Sequence, residues 1–454
     1  MSWKVVKLGE LIENFSVKAK DYDVDVSSLE FFGVSNTEGI TKSKYAAEEK
    51  ANDYKIMEKG CFAYNPYRIN VGSIAMQNED VVGLISPAYV VFKVKERSII
   101  PELLLKFLKS SEGLRQIKLH ARGTVRQALR LSDLCEIKIA LPDYNEQLEF
   151  YKAISETEIE SNLLSTELTH QLDTVKKLRQ AFLREAMQGK LTADWRMLRQ
   201  AQQPPIEPAS ELLKRIKAEK EQLIKEKKIR KPKPLLPVER EDEPFTIPKH
   251  WLWCRLGDIS YITSGSTPKS TAFVDEGIPY LKMYNLRNQK IDFFYKPQYI
   301  KEEVHNGQLK RCRAYPGDVI MNIVGPPLGK IAIIPESLPE CNFNQAAVLI
   351  RPIKLEMNKY IFWYLNEMSE IDAVETKGVA GQNNISVTQA HNMRIPLPPL
   401  SEQKAIVAKL DELMTYCDSL EENIKNSQTQ NEMLLGQVLR EALEPKEITV
   451  KEEV

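Results

Sequence analysis

Two stretches of the chain repeat apolar residues at the spacing of a coiled-coil helix. Residues 146–187 contain no Gly or Pro, and their apolar residues recur in steps of three, four and seven. Polar residues interrupt both stretches at Ser161, Gln171, Ser427 and Asn431. Such residues either fix the register of a helix pair or simply face solvent. We therefore predict two coiled-coil helices with this apolar seam: Ile154, Leu164, Leu168, Val175, Leu178 and Phe182 in the first, and Ile406, Leu410, Leu413, Leu420, Ile424, Leu434 and Val438 in the second.

The second stretch is a copy of the first, about 256 residues further along the chain. Residues 139–142 (IALP) match residues 395–398 (IPLP), and residues 183–186 (LREA) match residues 439–442 (LREA), without insertion or deletion between them. Upstream of these segments the spacing between matching residues varies, which is typical of loops that gain and lose residues. A helix of this length extends about 60 Å. Each copy is therefore expected to be a variable region followed by a long spacer.

The variable regions mix strand and helix signals. Short β-branched and aromatic runs at 89–94 and 347–350 predict strands, whereas 102–117 and 358–368 have helical patterns. This mixture predicts an α+β fold. Between the copies, a Pro-rich segment contains a basic helical pattern at 211–228, whose lysines either contact phosphates or form a solvated face. The predicted organisation is residues 1–141, first variable domain; 142–190, first long helix; 191–243, linker with a short basic helix; 244–397, second variable domain; 398–444, second long helix; and 445–454, tail.

The composition is that of a globular protein without net charge. There are 63 Lys and Arg residues and 63 Asp and Glu residues, so a general polyanion binder is not indicated and any basic surface must be local. Six scattered Cys residues argue against a zinc site or a disulfide framework. No apolar run reaches the roughly 20 residues of a membrane span, and residues 1–10 lack the apolar core of a signal peptide. We expect a cytoplasmic protein that does not bind membranes.

No catalytic motif is complete. Asn65-Pro66-Tyr67 resembles the loop with which adenine methyltransferases hold a flipped base, but it lacks the second proline and no glycine-rich cofactor loop precedes it. Residues 325–330 (GPPLGK) are one residue short of a phosphate loop, and Ile331 replaces the magnesium-binding hydroxyl. The five His residues show no metal spacing. The sequence therefore predicts a chain that is not an enzyme.

Basic and amide side chains cluster at matching places of the two copies. Residues 115–130 include five Lys and Arg residues and no acidic residue, and the matching segment 377–384 offers amides on a glycine-containing loop. Arg and Lys favour phosphate and guanine, whereas amide side chains pair with adenine. Each of these residues alone could equally be a turn cap or a solvated side chain. Together they predict two DNA readers with different preferences, with these candidate DNA-binding residues: Asn65, Arg68, Asn70, Arg122, Thr124, Arg126, Gln127, Lys269, Asn285, Asn322, Lys330, Asn344, Gln345, Lys377, Gln382 and Asn383.

Several segments in combination resemble the specificity (S) subunits of type I restriction-modification systems, and the resemblance extends over essentially the whole chain. It rests on residues 397–413 (LPPLSEQKAIVAKLDEL) with Cys417-Asp418, residues 182–195, residues 216–237 and residues 251–258 (WLWCRLGD). In the first copy the matching segment, 141–147 (LPDYNEQ), departs from the Pro-Pro form of the second copy.

The resemblance implies two target recognition domains related by pseudo-twofold symmetry and separated by two long antiparallel coiled-coil helices. Each domain would read one half of a split double-stranded DNA target, and the helices would set the spacer and dock two methyltransferase subunits. Restriction subunits would complete a bacterial defence complex. S-adenosylmethionine, ATP and magnesium would be bound by those partners, and this chain would bind no cofactor.

Two other classes of protein remain open on the sequence alone. The chain could be a coiled-coil scaffold with two protein-binding domains, in which case mutation of the basic loops would leave nucleic-acid binding unchanged. It could also be a self-sufficient enzyme, which activity of the isolated chain with S-adenosylmethionine would support.

Overall fold

The chain forms two compact units. The first comprises Met1–His170 and Ile424–Val454, and the second comprises Gln171–Asn423. The computed structural model describes residues 3–22, 25–43, 48–123, 127–200, 206–325, 327–367, 369–372 and 384–443.

A mixed domain makes up most of the first unit. Its strands are β1 (Lys4–Lys7), β2 (Ile12–Asn14), β3 (Glu30–Ser35), β4 (Gly39–Lys42), β5 (Lys55–Met57), β6 (Phe62–Tyr64), β7 (Ile74–Met76), β8 (Gly83–Ile85), β9 (Val90–Val94) and β10 (Lys138–Leu141). One antiparallel sheet has the order β2-β9-β6-β7, and a second has the order β4-β3-β8-β5 with β3 and β8 parallel. Strand β1 pairs with β10, so the chain enters and leaves this domain at one place.

Short helices complete this domain. They are α1 (Leu8–Leu11), α2 (Pro101–Lys109), α3 (Ser111–His120) and α4 (Leu131–Leu134), followed by the long helix α5 (Tyr144–Met187), with 3-10 turns at Ala19–Asp21, Val26–Ser28, Glu48–Asp53 and Ile69–Val71. The single helix predicted at 102–117 is two helices, because Ser110 ends α2 and its hydroxyl accepts the Gly113 amide at the start of α3 (3.1 Å). Leu104 and Phe107 of α2 are buried in the core that covers the first sheet.

The second unit contains a mixed domain and the linker. Its helices are α6 (Ala193–Gln200), α7 (Ala209–Lys225), α8 (Leu256–Ile259), α9 (Glu302–Asn306), α10 (Asn358–Glu367), α11 (Ser369–Asp372) and α12 (Val387–Asn392), followed by the long helix α13 (Leu400–Leu443), with 3-10 turns at Arg240–Asp242, Ser270–Ala272, Met283–Asn285, Lys310–Cys312 and Leu355–Met357. Its strands are β11 (Leu252–Arg255), β12 (Ser260–Ser264), β13 (Phe273–Val274), β14 (Ile278–Leu281), β15 (Leu286–Arg287), β16 (Lys290–Ile291), β17 (Tyr299–Ile300), β18 (Val319–Asn322), β19 (Ile331–Ile333), β20 (Asn342–Phe343), β21 (Ala347–Pro352) and β22 (Arg394–Leu397).

The two domains share one plan. The sheet β12-β21-β18-β19 matches β2-β9-β6-β7, and the pair β11-β22 matches β1-β10. A second sheet, β13-β17-β14-β20, again contains one parallel pair, β14 with β20. The turns are repeated too, since the Lys7 amide donates to Glu10 Oε1 (3.2 Å) and the Arg255 amide donates to Asp258 Oδ2 (3.0 Å). The α+β class and the repeat are therefore confirmed, and the sequence repeat is a repeat of structure.

The long helices α5 and α13 contact each other within each unit, and in the first unit the contacts show that they run antiparallel. In the first unit, Asn431 Nδ2 donates to the Ser161 carbonyl at 2.9 Å, and the Gln428 amide lies 3.5 Å from Thr169 Oγ1. In the second unit, Arg179 Nη2 contacts both Asp418 (2.7 Å) and Glu421 (3.0 Å). In the first unit, rising residue numbers on α5 meet falling numbers on α13, as the prediction of two antiparallel helices requires.

The predicted seam of these helices is buried at some positions and exposed at others. Leu164 and Leu434 are 46% and 60% exposed, so the prediction is wrong for these two residues. A straight α-helix drifts by about 20° per heptad against a strict seven-residue repeat, which moves such positions out of the contact. The remaining seam residues are buried or partly exposed: Ile154, Leu168, Val175, Ile406 and Leu410 are buried, and Leu178, Phe182, Leu413, Leu420, Ile424 and Val438 are partly exposed.

Candidate nucleic-acid interface

A turn between β6 and β7 carries the first group of predicted residues. Asn65 sets its shape: Asn65 Oδ1 accepts the Tyr67 amide at 3.0 Å, and the Asn65 carbonyl accepts the amides of Arg68 and Ile69, both at 3.0 Å. The turn ends at Gly72, whose φ of +83° is in the left-handed region that glycine adopts without strain. This turn leaves the side chains of Tyr67 and Arg68 exposed.

The segment that follows α3 lies against this turn. The Leu129 amide donates to the Pro66 carbonyl at 3.0 Å, and the buried Tyr64 hydroxyl donates to the Leu129 carbonyl at 3.2 Å. Arg122 and Ala128 exchange two main-chain hydrogen bonds of 3.0 and 2.9 Å, which close a loop. Two segments that are distant in the sequence are thus joined, and we call residues 65–72 with 122–123 and 127–130 the first reader surface.

The cations on and beside the first reader surface differ in their partners. Arg115 is bidentate to Glu112 (2.6 Å for both bonds), and this contact holds the pKa of the Glu112 carboxyl below its ordinary value. Arg122 Nε lies 3.0 Å from Asp133, although the arginine side chain is 82% exposed. Among the residues that the structure describes, Arg68 and Lys118 are exposed and have no acidic partner. Available positive charge therefore comes from these two residues more than from Arg115.

The other predicted residues of this domain are placed as follows. Gln127 is exposed in the closed loop, and Asn70 is partly exposed in the 3-10 turn. Thr124 and Arg126 belong to the same loop by sequence but lie outside the described residues.

In the second unit, Asn322 occupies the position that Asn65 has in the first. It is 4% exposed, and its side-chain amide donates to the carbonyls of Val324 (2.9 Å) and Pro327 (3.0 Å), while Oδ1 accepts the Lys330 amide at 3.0 Å. All of these bonds hold the turn before β19 in shape. The predicted base contact by Asn322 is therefore corrected to a bracing role, because the buried amide is already committed to main chain.

The second domain repeats the contact between its two loops. The Ile385 amide donates to the Ile323 carbonyl at 2.9 Å, which is the counterpart of the bond from Leu129 to Pro66. Val324 and Asn384 form an isolated bridge beside it. We call residues 322–325 and 327–330 with 384–385 the second reader surface. Three further candidates, Lys377, Gln382 and Asn383, precede it and lie outside the described residues.

One of the remaining candidates of the second domain holds a loop in shape, and the others are polar groups at or near the surface. Asn285 is 1% exposed, and its amide donates to the carbonyls of Asp292, Phe293 and Tyr295 (3.0, 3.3 and 2.9 Å), so it too is corrected from a base contact to a loop brace. Lys269 and Gln345 are exposed, Lys330 is partly exposed, and Asn344 is partly exposed with a buried Oδ1 that has no partner among the described residues.

Close main-chain packing brings part of this polar group together. The Ser266 amide donates to the Phe343 carbonyl at 3.1 Å, and a Cβ atom on Gly265 would lie 2.1 Å from the Asn344 carbonyl oxygen. Only glycine allows this approach. The strand ends that carry Ser266 and Asn344 therefore lie side by side.

Sequence reasoning missed several exposed apolar side chains near these candidates. Tyr67 is 60% exposed, Val71 is 59% exposed, Leu119 is 67% exposed and Phe294 is 83% exposed. Apolar groups contact the thymine methyl group or wedge between bases in protein–DNA complexes. Their signal in the sequence was an aromatic residue next to turn residues, as in Asn65-Pro66-Tyr67, which is too common to be decisive.

Metal and membrane features are not part of this surface. Within the described ranges, no cluster of His, Cys, Asp and Glu has an arrangement that could bind a metal ion. Of the helices that the structure describes, none combines the length and the apolar character that crossing a bilayer requires.

Comparison with known proteins gives the family. Residues 1–173 and 248–429 match the sequence model of the type I restriction modification DNA specificity domain. The EcoAI specificity subunit of Escherichia coli is 33% identical over 278 residues, which is 59% of this chain and 44% of that protein. The EcoEI specificity subunit of Escherichia coli is 30% identical over 59% of this chain and 45% of that protein. The chain thus spans less than half the length of these two relatives, whereas the alignment with the EcoDI specificity subunit, at 23% identity, covers 97% of this chain and 88% of that protein.

Solved structures agree at the level of the fold. The HsdS subunit from Thermoanaerobacter tengcongensis superimposes with a TM-score of 0.58 at 19% identity, covering 97% of this chain and 96% of that one. A chain from a study of the assembly and conformational transition of the type I R-M system gives a TM-score of 0.60 at 20% identity, with 97% of each chain covered. With both copies of the repeat matched by the family model and the same fold in these structures, the chain belongs to the type I restriction modification DNA specificity domain family.

Proposed function

We propose that this chain is the DNA specificity subunit of a type I restriction-modification complex that acts in the cytoplasm. One observation carries the proposal: in each domain a main-chain bond joins a second loop to the turn before the edge strand, β7 or β19. The equivalent bonds run from Leu129 to Pro66 (3.0 Å) and from Ile385 to Ile323 (2.9 Å). The frame is conserved between the two copies while the exposed side chains differ. Two readers of different preference on one frame are what a split, asymmetric DNA target requires.

Each reader surface combines phosphate and base contacts in this proposal. Phosphate contacts fix the register of a protein on duplex DNA, and contacts to base edges select the sequence. In the first domain, Arg68 and Lys118 supply charge, while Gln127, with an exposed amide, suits adenine. In the second domain, the corresponding groups come from Lys269 and Gln345 and, by their place in the sequence, from Lys377, Gln382 and Asn383. Two modest affinities on one chain combine into one bipartite selection.

The long helices would set the distance between the half-sites and dock two methyltransferase subunits. Those subunits would bind S-adenosylmethionine and methylate adenine, and restriction subunits would use ATP and magnesium to translocate and cleave DNA. The alternative, a scaffold with two protein-binding domains, predicts that the exposed cations of the reader surfaces do not affect methylation.

Sequencing of methylated bases in cells that express this chain with its neighbouring methyltransferase subunit tests the proposal. We expect a split motif with two unlike halves, methylated on adenine only when the chain is present. The variant Arg68→Ala should lower methylation of the motif, whereas Arg115→Ala should not, because Arg115 is already neutralised by Glu112. Co-purification of the two proteins without any change in methylation would favour the scaffold.

A further inference from the structure

A basic cleft lies within the second unit, outside both reader surfaces. One wall is the segment 227–231 that follows α7, and the other is the edge of the recognition domain around Lys310, Arg311 and Tyr261. The cleft is open and has a volume of about 830 Å³. None of the described residues that line it is acidic. We call it the linker cleft.

Most cations of the linker cleft have no counter-charge in the protein. Arg313, Arg351 and Lys228 lie in ion pairs with Glu340, Asp318 and Glu226, respectively. The other cations have no acidic partner among the described residues: Lys227, Arg230, Lys231, Lys310 and Arg311. Like charges gathered on two facing walls repel one another unless an anion lies between them. In a chain with no net charge, such a concentration is a local feature that solubility does not require.

The backbone conformation of the linker also indicates that these charges have a function. Helix α7 ends at Lys225, and two residues later Lys227 has a φ of +57°, in the left-handed region where the residue after a helix is normally glycine. A lysine there is disfavoured by the backbone by comparison with glycine. The Lys228 amide nevertheless closes the turn on the Leu223 carbonyl at 2.9 Å. A charged side chain thus occupies a position for which glycine would be the more stable choice.

A smaller chamber of about 330 Å³ shares Arg230, Lys231, Tyr261 and Arg311 with the linker cleft. Buried polar groups line it. Lys220 is 8% exposed and donates to the carbonyls of Gly257 and Ser260 (2.8 Å to Ser260), which leaves one of its three N–H groups without a bond.

Two further atoms in the chamber point to a ligand. Ser260 is fully buried, and its hydroxyl has no hydrogen-bond partner among the described residues. His391 also lines the chamber, and its buried Nδ1 has no hydrogen-bond partner in the part of the chain that the structure describes. A buried hydroxyl without a partner loses hydrogen bonds that water would supply. Burial also lowers the pKa of Lys220 to about 8, a shift that the Asp258 carboxylate offsets only in part.

We propose that the linker cleft binds the phosphate backbone of duplex DNA without regard to sequence, with one phosphate at the mouth of the chamber, beside Arg230, Lys231 and Arg311. This proposal rests on the proposed function, since it adds a phosphate clamp to a DNA reader. DNA fits better than an acidic peptide because the cleft adjoins a candidate reader segment. Strand β12, residues 260–264, lines the chamber, and residues 265–269 directly after it carry the candidates around Lys269. The linker then contributes to affinity, and the loops contribute to selection.

The test compares two doubly substituted full-length chains that each lose two positive charges. Arg230→Gln with Lys231→Gln removes cations of the linker cleft, and Lys176→Gln with Lys190→Gln removes exposed cations elsewhere in the second unit. Binding of a random-sequence DNA duplex is measured by fluorescence anisotropy between about 50 and about 300 mM KCl. We expect the cleft variant to bind about tenfold more weakly, with a slope of log K against log salt that is shallower by about 1 to 2. The control should bind like the wild type.

Each of the following three results overturns the proposal. Equal affinities and slopes for the two variants would mean that the cleft does not contact DNA. Unchanged DNA binding together with lost binding of poly-glutamate would assign the cleft to an acidic protein segment. If inorganic phosphate alone displaced the duplex from the wild type but not from the cleft variant, at a concentration that leaves ionic strength unchanged, the site would serve small anions. A wild type that binds duplex but methylates no split motif contradicts the proposed function and not the clamp.

Discussion

Glu402 is fully buried in the first turn of α13, where its carboxylate meets four donors. Thr192 Oγ1 and Trp251 Nε1 each donate to it at 2.8 Å, Arg196 Nη1 donates at 2.6 Å, and His250 Nε2 lies at 2.7 Å. A carboxylate near a helix N-terminus is favourable in itself. Here one side chain also joins the helix to the linker and to the segment that enters the second domain, which explains why a charge is retained in this core.

We expect Glu402→Gln to destabilise the second unit by about 3 kcal/mol, because it removes the negative charge that the partly buried Arg196 requires and turns one acceptor into a donor. Urea unfolding followed by tryptophan fluorescence measures the loss. Glu412→Gln is the matched control, since the pair of Glu412 with Lys409 (2.9 Å) is largely exposed and should contribute little. Equal midpoints for both variants would show that the four contacts of Glu402 are replaceable.

Substitution of glycine by alanine should have opposite effects on stability at two positions. Gly72→Ala should destabilise the first unit by about 1 kcal/mol or more, because φ is +83° and the new Cβ would lie 2.8 Å from Asn36 Oδ1. Gly436→Ala should stabilise it by about 0.5 to 1 kcal/mol, since Gly436 is helical and nothing lies within 4 Å of the added Cβ. Thermal unfolding of both variants checks the signs, and a loss of stability in both would contradict the helix argument.

At the scale of elements, periodicity was enough to predict the two long helices but not which of their residues are buried. Leu164 and Leu434 follow the heptad pattern and are still exposed, because the partner helix decides where the contact lies. Sheet order was not predictable, since pairs such as β3 with β8 join residues far apart in the sequence. Asn285 and Asn322 show the limit for the site: an amide that braces a turn and an amide that reads adenine are the same residue type, and only burial separates them.

Helix α7 is held to the second domain through Lys220, and this predicts a pH dependence. Burial lowers the pKa of Lys220 from 10.5 to about 8. Between those values the unfolded chain binds more protons than the folded chain, so the free energy of unfolding rises with pH across this window. The rise should amount to about 2 to 3 kcal/mol.

The variant Lys220→Met should not show this rise in the free energy of unfolding, because it removes the titrating group while keeping the apolar part of the side chain. Urea unfolding of both proteins at about pH 7.5 and about pH 10 isolates the difference, since all other titrating groups are shared. Parallel changes in the two proteins would mean that the ammonium is solvated in the folded state.

At the scale of the whole molecule, the repeat separates a main-chain frame that both copies share from surface side chains that differ between the copies. In each domain the first strand pairs with the strand before a long helix, Lys4 with Leu141 and Leu252 with Leu397. The main-chain ties inside the domains are also equivalent, as in Leu129 and Ile385. A reader can therefore diverge in its exposed side chains without disturbing the strand pair that closes the domain. This organisation explains why the resemblance extends over the chain while the candidate contacts differ between its halves.

Exchange of residues 1–141 for the first domain of another family member should change one half of the methylated motif and leave the other half unaltered. The boundary keeps β1 and β10 together and leaves α5 whole, so the exchanged piece carries most of its own core, and only Ile154 and its neighbours on α5 stay behind. Exchange of residues 244–397, which keeps β11 with β22, is the reciprocal control and should change the other half alone. Sequencing of methylated bases reads both outcomes in one experiment. If either exchange altered both halves, each half-site would depend on both domains, and the division of recognition between two independent readers would have to be abandoned.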